Sequence, residues 1–84
     1  MLKVVFTNQG LDDLTRIDEK NKQRIIKAIE RFADSRQGDV KKLKGKTDEW
    51  RLRVGDWRIR FTKDEEIKIL SVLRVLPRGS AYRD

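Results

Sequence analysis

Apolar and charged residues alternate from Trp50 to Phe61, reading Trp-Arg-Leu-Arg-Val, a Gly-Asp pair, then Trp-Arg-Ile-Arg-Phe. Alternation with a period of two marks β-strands. A two-residue loop with glycine in the first central position suits a type II′ hairpin turn. Folded about Gly55-Asp56, the pattern sets Val54 opposite Trp57, Leu52 opposite Ile59 and Trp50 opposite Phe61. Arg53 then faces Arg58, and Arg51 faces Arg60. Successive strand side chains point to opposite faces, so six apolar residues share one side and four arginines the other. Trp50 and Trp57 fall on the apolar side and read as core.

The rest of the chain supplies what covers that apolar side. MLKVVF, residues 1–6, is a short β-branched run that predicts a strand. Thr7 or Asn8 can cap a helix in which Leu11, Leu14 and Ile17 recur at helical spacing. Asp18 is the expected cap of a longer helix over 19–35, with a stripe of Ile25, Ile29 and Phe32 widened by Ile26 and Ala33. Gly38 is the expected terminator. The short connection predicts an αα-hairpin with one shared apolar face. DVKKLKGKTD (39–48) has no strong periodicity and reads as a basic loop. In EIKILSVLRV (66–75), the pairs Ile69-Leu70 and Val72-Leu73 imply burial on both faces, hence a central strand that Pro77 stops. The order β-α-α-β-β-β predicts a two-layer α+β domain over residues 1–84. Its helical hairpin packs on one face of a mostly antiparallel four-stranded sheet, and the arginine side is left uncovered.

Composition sharpens this picture. Eighty-four residues, 37% of them hydrophobic and 42% charged, leave apolar surface for one core and no second domain. No apolar run approaches the roughly 18 residues of a membrane span, and the N-terminus lacks a basic region leading into an apolar h-region. A soluble, cytoplasmic protein without a membrane partner is expected. Cysteine and histidine are both absent, which removes thiolate metal sites and the commonest general base. No metal or cofactor is expected. The net charge is +7, and it is uneven. Residues 1–40 carry eight Lys/Arg against seven Asp/Glu, whereas residues 41–84 carry thirteen against seven. A basic half on a near-neutral half points to a localised anionic partner.

Like charges directly opposite one another destabilise a strand pair, so four stacked guanidiniums call for a reason. A polyanion is one: guanidinium forks match phosphate oxygens in two-point hydrogen bonds, and each neutralised phosphate releases counterions. The lysines of the loop (Lys42, Lys44, Lys46), with Arg60 and Arg83, extend the expected RNA-binding surface. The competing reading has Asp48, Asp64, Glu65 or Glu66 fold back from the turns and pair with one or two of the arginines.

LKGKTDEWRLRVGDWRIRF, followed by a β-rich segment and then RVLPRGSAY, resembles the RelE/ParE superfamily of type II toxins. Its pattern runs L-x-G, then Y-R-x-R-x-G-x-Y-R-x-x-Y, then R-x-x-x-Y. The resemblance covers nearly the whole chain, with Trp50 and Trp57 in place of the commoner tyrosines. It implies a RelE-like endoribonuclease that cleaves messenger RNA, in the best-known members at the ribosomal A site, and a cognate antitoxin that masks the basic face. Arg51 and Arg53 fall where RelE-like enzymes often carry lysines. Arg58 matches the arginine after the turn, and Arg78 and Tyr82 match the C-terminal motif. Leu76-Pro77 stands where a Gly-His or similar pair is common.

Such a site needs no metal if the RNA 2′-hydroxyl displaces the 5′-oxygen and leaves a 2′,3′-cyclic phosphate. Catalysis then rests on in-line positioning and on stabilising the charge of the phosphorane, for which Arg58 and Arg78 are the candidates. Tyr82 is placed to stack on a base or to move a proton. The general base is the open question, since arginine stays protonated in proteins. Lysine can be depressed toward neutrality among other cations, and Lys42, Lys44 and Lys46 lie nearby in sequence. Two other functions stand beside it: a ParE-like toxin that inhibits DNA gyrase by protein–protein contact, which shares the fold but lacks the nuclease residues, so that Arg58, Arg78 and Tyr82 favour the RelE kind, and an RNA-binding module without chemistry.

Overall fold

The computed structural model describes residues 1–45 and 48–77. Strand β1 (Lys3–Phe6) leads into helix α1 (Asn8–Thr15) and helix α2 (Glu19–Ser35). Four strands follow: β2 (Asp39–Lys42), β3 (Glu49–Val54), β4 (Trp57–Asp64) and β5 (Ile69–Pro77). They form one sheet of order β1-β5-β4-β3-β2, antiparallel except where β1 runs parallel to β5. The α+β class and the position of β5 between two neighbours agree with expectation. The sheet has five strands rather than four, because Asp39–Lys42 is not loop but an edge strand paired with β3. A short, lysine-bearing strand is what a protected sheet edge requires, and Val40 brings the one inward apolar side chain to the core.

Helix capping follows the sequence closely at the N-termini. Thr7 caps α1, its hydroxyl accepting from the Gly10 N–H, and the Asp18 carboxylate accepts from the Asn21 N–H at the start of α2. At the end of α2 the terminator is Arg36 in the left-handed region (φ 62°), not Gly38. Its guanidinium offsets the strain by donating to the Ala33 carbonyl at 2.7 Å and to both oxygens of Glu65 at 2.6 and 3.0 Å. Leu14 and Ile17 are buried as expected, but Leu11 is 51% exposed. Helix α1 packs against β5, the Thr7 N–H donating to the Val72 carbonyl and Asp13 accepting the Val75 N–H. Gly10 allows the close approach, since a Cβ there would come within 2.5 Å of the Val72 carbonyl oxygen.

The core joins Ile25, Ile29, Phe32 and Ala33 of α2 to Leu52, Val54, Ile59, Phe61, Leu70, Val72 and Val75 of the sheet. Both tryptophans pack against it, half-buried. The register of β3 and β4 is the expected one at every pair from Trp50–Phe61 to Val54–Trp57.

Arg36 holds the Glu65 carboxyl well below its ordinary value of 4.5, at about 2. The hydrogen bond from Arg36 is the main cause, opposed by desolvation and reinforced by the charges of Arg36 and Lys63. A depressed carboxyl pKa contributes stability above the unfolded-state value that disappears as pH falls through the folded one. Wild-type protein is therefore expected to lead Glu65→Gln in melting temperature above pH 4.5. That lead should shrink between pH 4.5 and about 2 and vanish below, in thermal melts across that range. A lead that persists at the lowest pH removes this pair from the account.

Candidate nucleic-acid interface

The arginine side of the sheet is built in rows. Lys41, Arg51, Arg60 and Arg74 align across β2, β3, β4 and β5, and Asp39, Arg53, Arg58 and Leu76 form the next row. Arg74 joins through a β-bulge: Arg60 pairs with Arg74 but Phe61 with Val72, leaving Leu73 as the extra residue. Without it Arg74 would point to the core, since a one-residue shift exchanges the faces of a strand. Thr7 holds the bulge, its N–H donating to the Val72 carbonyl and its hydroxyl to the Leu73 carbonyl.

The face is not a stack of unpaired cations. Arg51, Arg58 and Arg60 are each only 8% exposed, so the side expected to be uncovered is closed at three of its four arginines. Carboxylates are interleaved with them. Arg51 Nη1 donates to the Asp39 side chain and carbonyl, both at 3.3 Å, and Arg53 Nε lies 3.5 Å from the same carboxylate. Arg60 donates through Nε and Nη2 to Glu49 Oε2. Arg74 donates to both oxygens of Asp13, which also accepts the Val75 N–H at 2.9 Å. Among the described residues the carboxylate partners are thus Asp39, Glu49 and Asp13, not Asp48, Asp64, Glu65 or Glu66. Glu65 serves Arg36 and Lys63, and Asp64 accepts the N–H groups of Glu66 and Ile67 in its own turn. The expected strain of four bare guanidiniums is replaced by an arrangement in which like charges are separated by acids.

Arg58 is the exception. Its Nη1 donates to the carbonyls of Gly55 and Trp57, both at 3.2 Å, and no described carboxylate pairs with it. Beside it Arg53 is 55% exposed in its side chain. Gly55 takes φ +58° at the turn between them. The Arg24 guanidinium lies against that turn, within 2.8 Å of where a Gly55 Cβ would sit. The hairpin end therefore gathers three guanidiniums. Arg51 Nε is in addition buried with no acceptor among the described residues, a costly state that in native proteins marks a functional or strained position.

At the other end of the face, a cleft of about 500 Å³ opens between the arginine rows and the start of α1. Thr7, Asn8, Gln9, Glu49, Arg60 and Arg74 line it. A larger apolar groove of about 790 Å³ lies between β1 and α2, lined by Val4, Phe6, Ile26 and Ile29 among others.

Of the sequence-predicted residues, Arg51, Arg53, Arg58 and Arg60 are brought together. Lys42 is not: it lies on β2 with its ammonium over the Trp50 ring at 5.7 Å, on the opposite face, where Lys63 also stacks at 4.8 Å. Alternation forces this, because Lys41 is the residue in register with Arg51. Lys44 is exposed in the loop after β2. Lys46, Arg78, Tyr82 and Arg83 lie outside the described residues. The sequence reading missed Lys41, Arg74 and Arg24, and the acids Asp13, Asp39 and Glu49.

Residues 4–82 match the family described as "ParE toxin of type II toxin-antitoxin system, parDE". No curated protein matches. Among solved structures, the chain is similar to the RelB-RelE antitoxin-toxin complex of Methanococcus jannaschii, at 29% identity and a TM-score of 0.74, over 93% of this chain and 94% of that one. It is similar to the archaeal RelE-RelB complex of Pyrococcus horikoshii at 26% identity and a TM-score of 0.76, over 95% and 98%. The toxin-antitoxin complex RelBE2 of Mycobacterium tuberculosis shares the fold, with a TM-score of 0.80 at 22% identity over 92% and 98%. With its helices, mixed sheet and arginine-bearing hairpin, this chain belongs to the ParE toxin family, within the RelE/ParE superfamily of type II toxins.

Proposed function

We propose that the chain is the nuclease kind of type II toxin, a single domain that cleaves messenger RNA, at the ribosomal A site, and so stops translation. The observation that carries this reading is Arg58, buried, bonded among the described residues to turn carbonyls alone and set beside exposed Arg53. A phosphate diester is the ligand such a pair suits, because a guanidinium fork meets phosphate oxygens two at a time. Arg58 then stabilises the phosphorane that forms when the 2′-hydroxyl attacks. Arg78 and Tyr82 complete the site in this reading, as charge stabiliser and as stacking or proton-moving group, and Lys44, Lys46 and Arg83 hold flanking phosphates. Arg51 and Arg60 position rather than react, since each is tied to a carboxylate. The partner is a cognate antitoxin that covers the basic face, and the site of action is the cytoplasm.

A second reading has the chain inhibit DNA gyrase through a protein contact. It is favoured by the matched family being that of the ParE toxins, and by the internal neutralisation of Arg51 and Arg60, which leaves fewer cations for a nucleic acid. The two readings part in a direct assay: purified protein with messenger RNA on ribosomes, and in parallel with gyrase and plasmid. RNA cleavage with unchanged supercoiling is expected.

A further inference from the structure

We propose that the outer face of α2 is a second RNA-binding surface, continuous with the hairpin end, which grips the substrate strand where it leaves Arg53 and Arg58. The inference rests on the nuclease reading for its ligand and adds a surface that reading does not use. Lys20, Arg24, Lys27 and Arg31 are spaced by four, three and four residues, which keeps them on one side of a helix. All four are exposed, on the side opposite the buried Ile25, Ile29 and Phe32. The row runs for about 16.5 Å, at 1.5 Å of rise per residue.

The row is not balanced as the sheet face is. Like charges three and four residues apart destabilise a helix, so an outer face built for stability alone interleaves acids with its cations. On the sheet, Arg51, Arg60 and Arg74 each have a carboxylate. Within α2, among the described residues, the ion pair is that of Lys22 with Glu19 at 3.9 Å, off the row. Glu30 and Asp34 flank only its C-terminal end. Arg24 joins the row to the hairpin. Its guanidinium lies 2.8–3.1 Å from where a Gly55 Cβ would sit, and Arg58 donates to the carbonyl of the same Gly55. Glycine at position 55 thus serves both the positive φ and the close approach of Arg24. Arg24 and Arg58 meet one residue from two elements, so a phosphate held at the hairpin end has the row as its neighbour.

The chemistry of the row is that of a phosphate track. Arg24 and Arg31 offer planar forks to phosphate oxygens, and Lys20 and Lys27 act as point charges. No aromatic side chain stands among them, so the contact is with the sugar–phosphate backbone and not with stacked bases. These residues hold flanking RNA and touch no reacting atom: they position the strand, and the chemistry stays at the hairpin end.

The test is the binding of 2′-O-methyl RNA, which has no free 2′-hydroxyl to attack, followed by fluorescence anisotropy between roughly 50 and 200 mM salt. Oligomers of about 4 and about 16 nucleotides span the usual range of single-strand sites. Wild type is compared with Lys27→Gln/Arg31→Gln, the two cations beyond Arg24. A control, Lys3→Gln/Lys68→Gln, removes the same charge from exposed positions elsewhere. Glutamine is a good helix former, so the α2 variant should melt with wild type. With the long oligomer its slope of log K against log salt should be shallower by about 1.4, the share of two single-strand phosphates. With the short oligomer, which the hairpin end accommodates, the slope should match wild type, and the control should match it at both lengths. An unchanged slope with the long oligomer, an equal loss at both lengths, or an equal loss in the control would overturn the inference and leave the nuclease reading intact. Unchanged RNA binding with lost affinity for polyglutamate would overturn it in favour of an acidic protein partner. Wild-type protein that binds neither oligomer overturns it together with the nuclease reading.

Discussion

Alanine at position 58 is expected to slow RNA cleavage by about 10²-fold or more, the scale seen when one charge-stabilising donor is lost. Binding should weaken as well, and the slope of log K against log salt should fall by about one, the share of a single phosphate contact. Both effects come from the same feature: among the described residues Arg58 has turn carbonyls but no carboxylate as partners, so its charge is not neutralised there. Arg51→Ala should behave differently. Its guanidinium is already committed to Asp39, so its removal should change the salt slope less than that of Arg58 and reduce stability more. Salt-dependent binding of a short RNA to the two variants separates these outcomes. Equal slopes would mean that the internal ion pairs open on binding, and that the distinction between Arg58 and Arg51 is void.

The second large effect concerns the fold. Asp13→Ala should destabilise the protein by about 3 kcal/mol, the combined scale of a lost charge-assisted bond and a backbone donor left without its partner. Asp13 is the point where α1 is fastened to β5: its carboxylate takes Arg74 Nε at 2.7 Å and the Val75 N–H at 2.9 Å, and only 14% of its side chain is exposed. In a domain of this size each kilocalorie moves the melting temperature by about 4–8 °C, so a fall well above 10 °C is expected. Asp13→Asn should lie between, keeping one acceptor and losing the charge. The cleft loses its α1 wall if the helix detaches, and cleavage should suffer with it. Denaturant melts check the prediction. A change within about 0.5 kcal/mol, the range of ordinary surface substitutions, would show that α1 is held by its apolar contacts alone.

The hairpin was legible from sequence because two independent signals agree there: a strict period of two, and a Gly-Asp turn that fixes the register. The caps Thr7 and Asp18 were legible because both are local, a side chain reaching three residues along its own helix. Strand β2 escaped because Val40 is its one apolar residue, set between an aspartate and lysines, and the pattern of a protected edge is that of a polar loop. Arg74 escaped because the bulge at Leu73 reverses its side, and nothing in a run of branched residues announces a bulge. The acids at positions 13 and 39 meet their arginines only through α1 on β5 and through β2 on β3, contacts that arise after the chain has folded. Glu49 is a different matter. It lies on the arginine side of β3 opposite Thr62, diagonal to Arg60, so the hairpin register already contained the pair.

The interleaved acids also refine the physical role of the face. Four bare guanidiniums would repel and bind any polyanion without selection. With Asp39, Glu49 and Asp13 in place, Arg51, Arg60 and Arg74 are oriented, Arg53 shares Asp39 while staying exposed, and Arg58 has no carboxylate among the described residues. A catalytic site needs this distribution more than it needs maximal charge, since preorganised donors cost no reorganisation as the transition state forms.

The most direct test of the central claim is to incubate the purified chain with messenger RNA on ribosomes and to analyse the ends of the products. Discrete cleavage with 2′,3′-cyclic phosphate ends is expected, with no cleavage when the scissile residue is 2′-deoxy and loss of cleavage with Arg58→Ala. Intact messenger RNA beside a gyrase that no longer supercoils plasmid would contradict it.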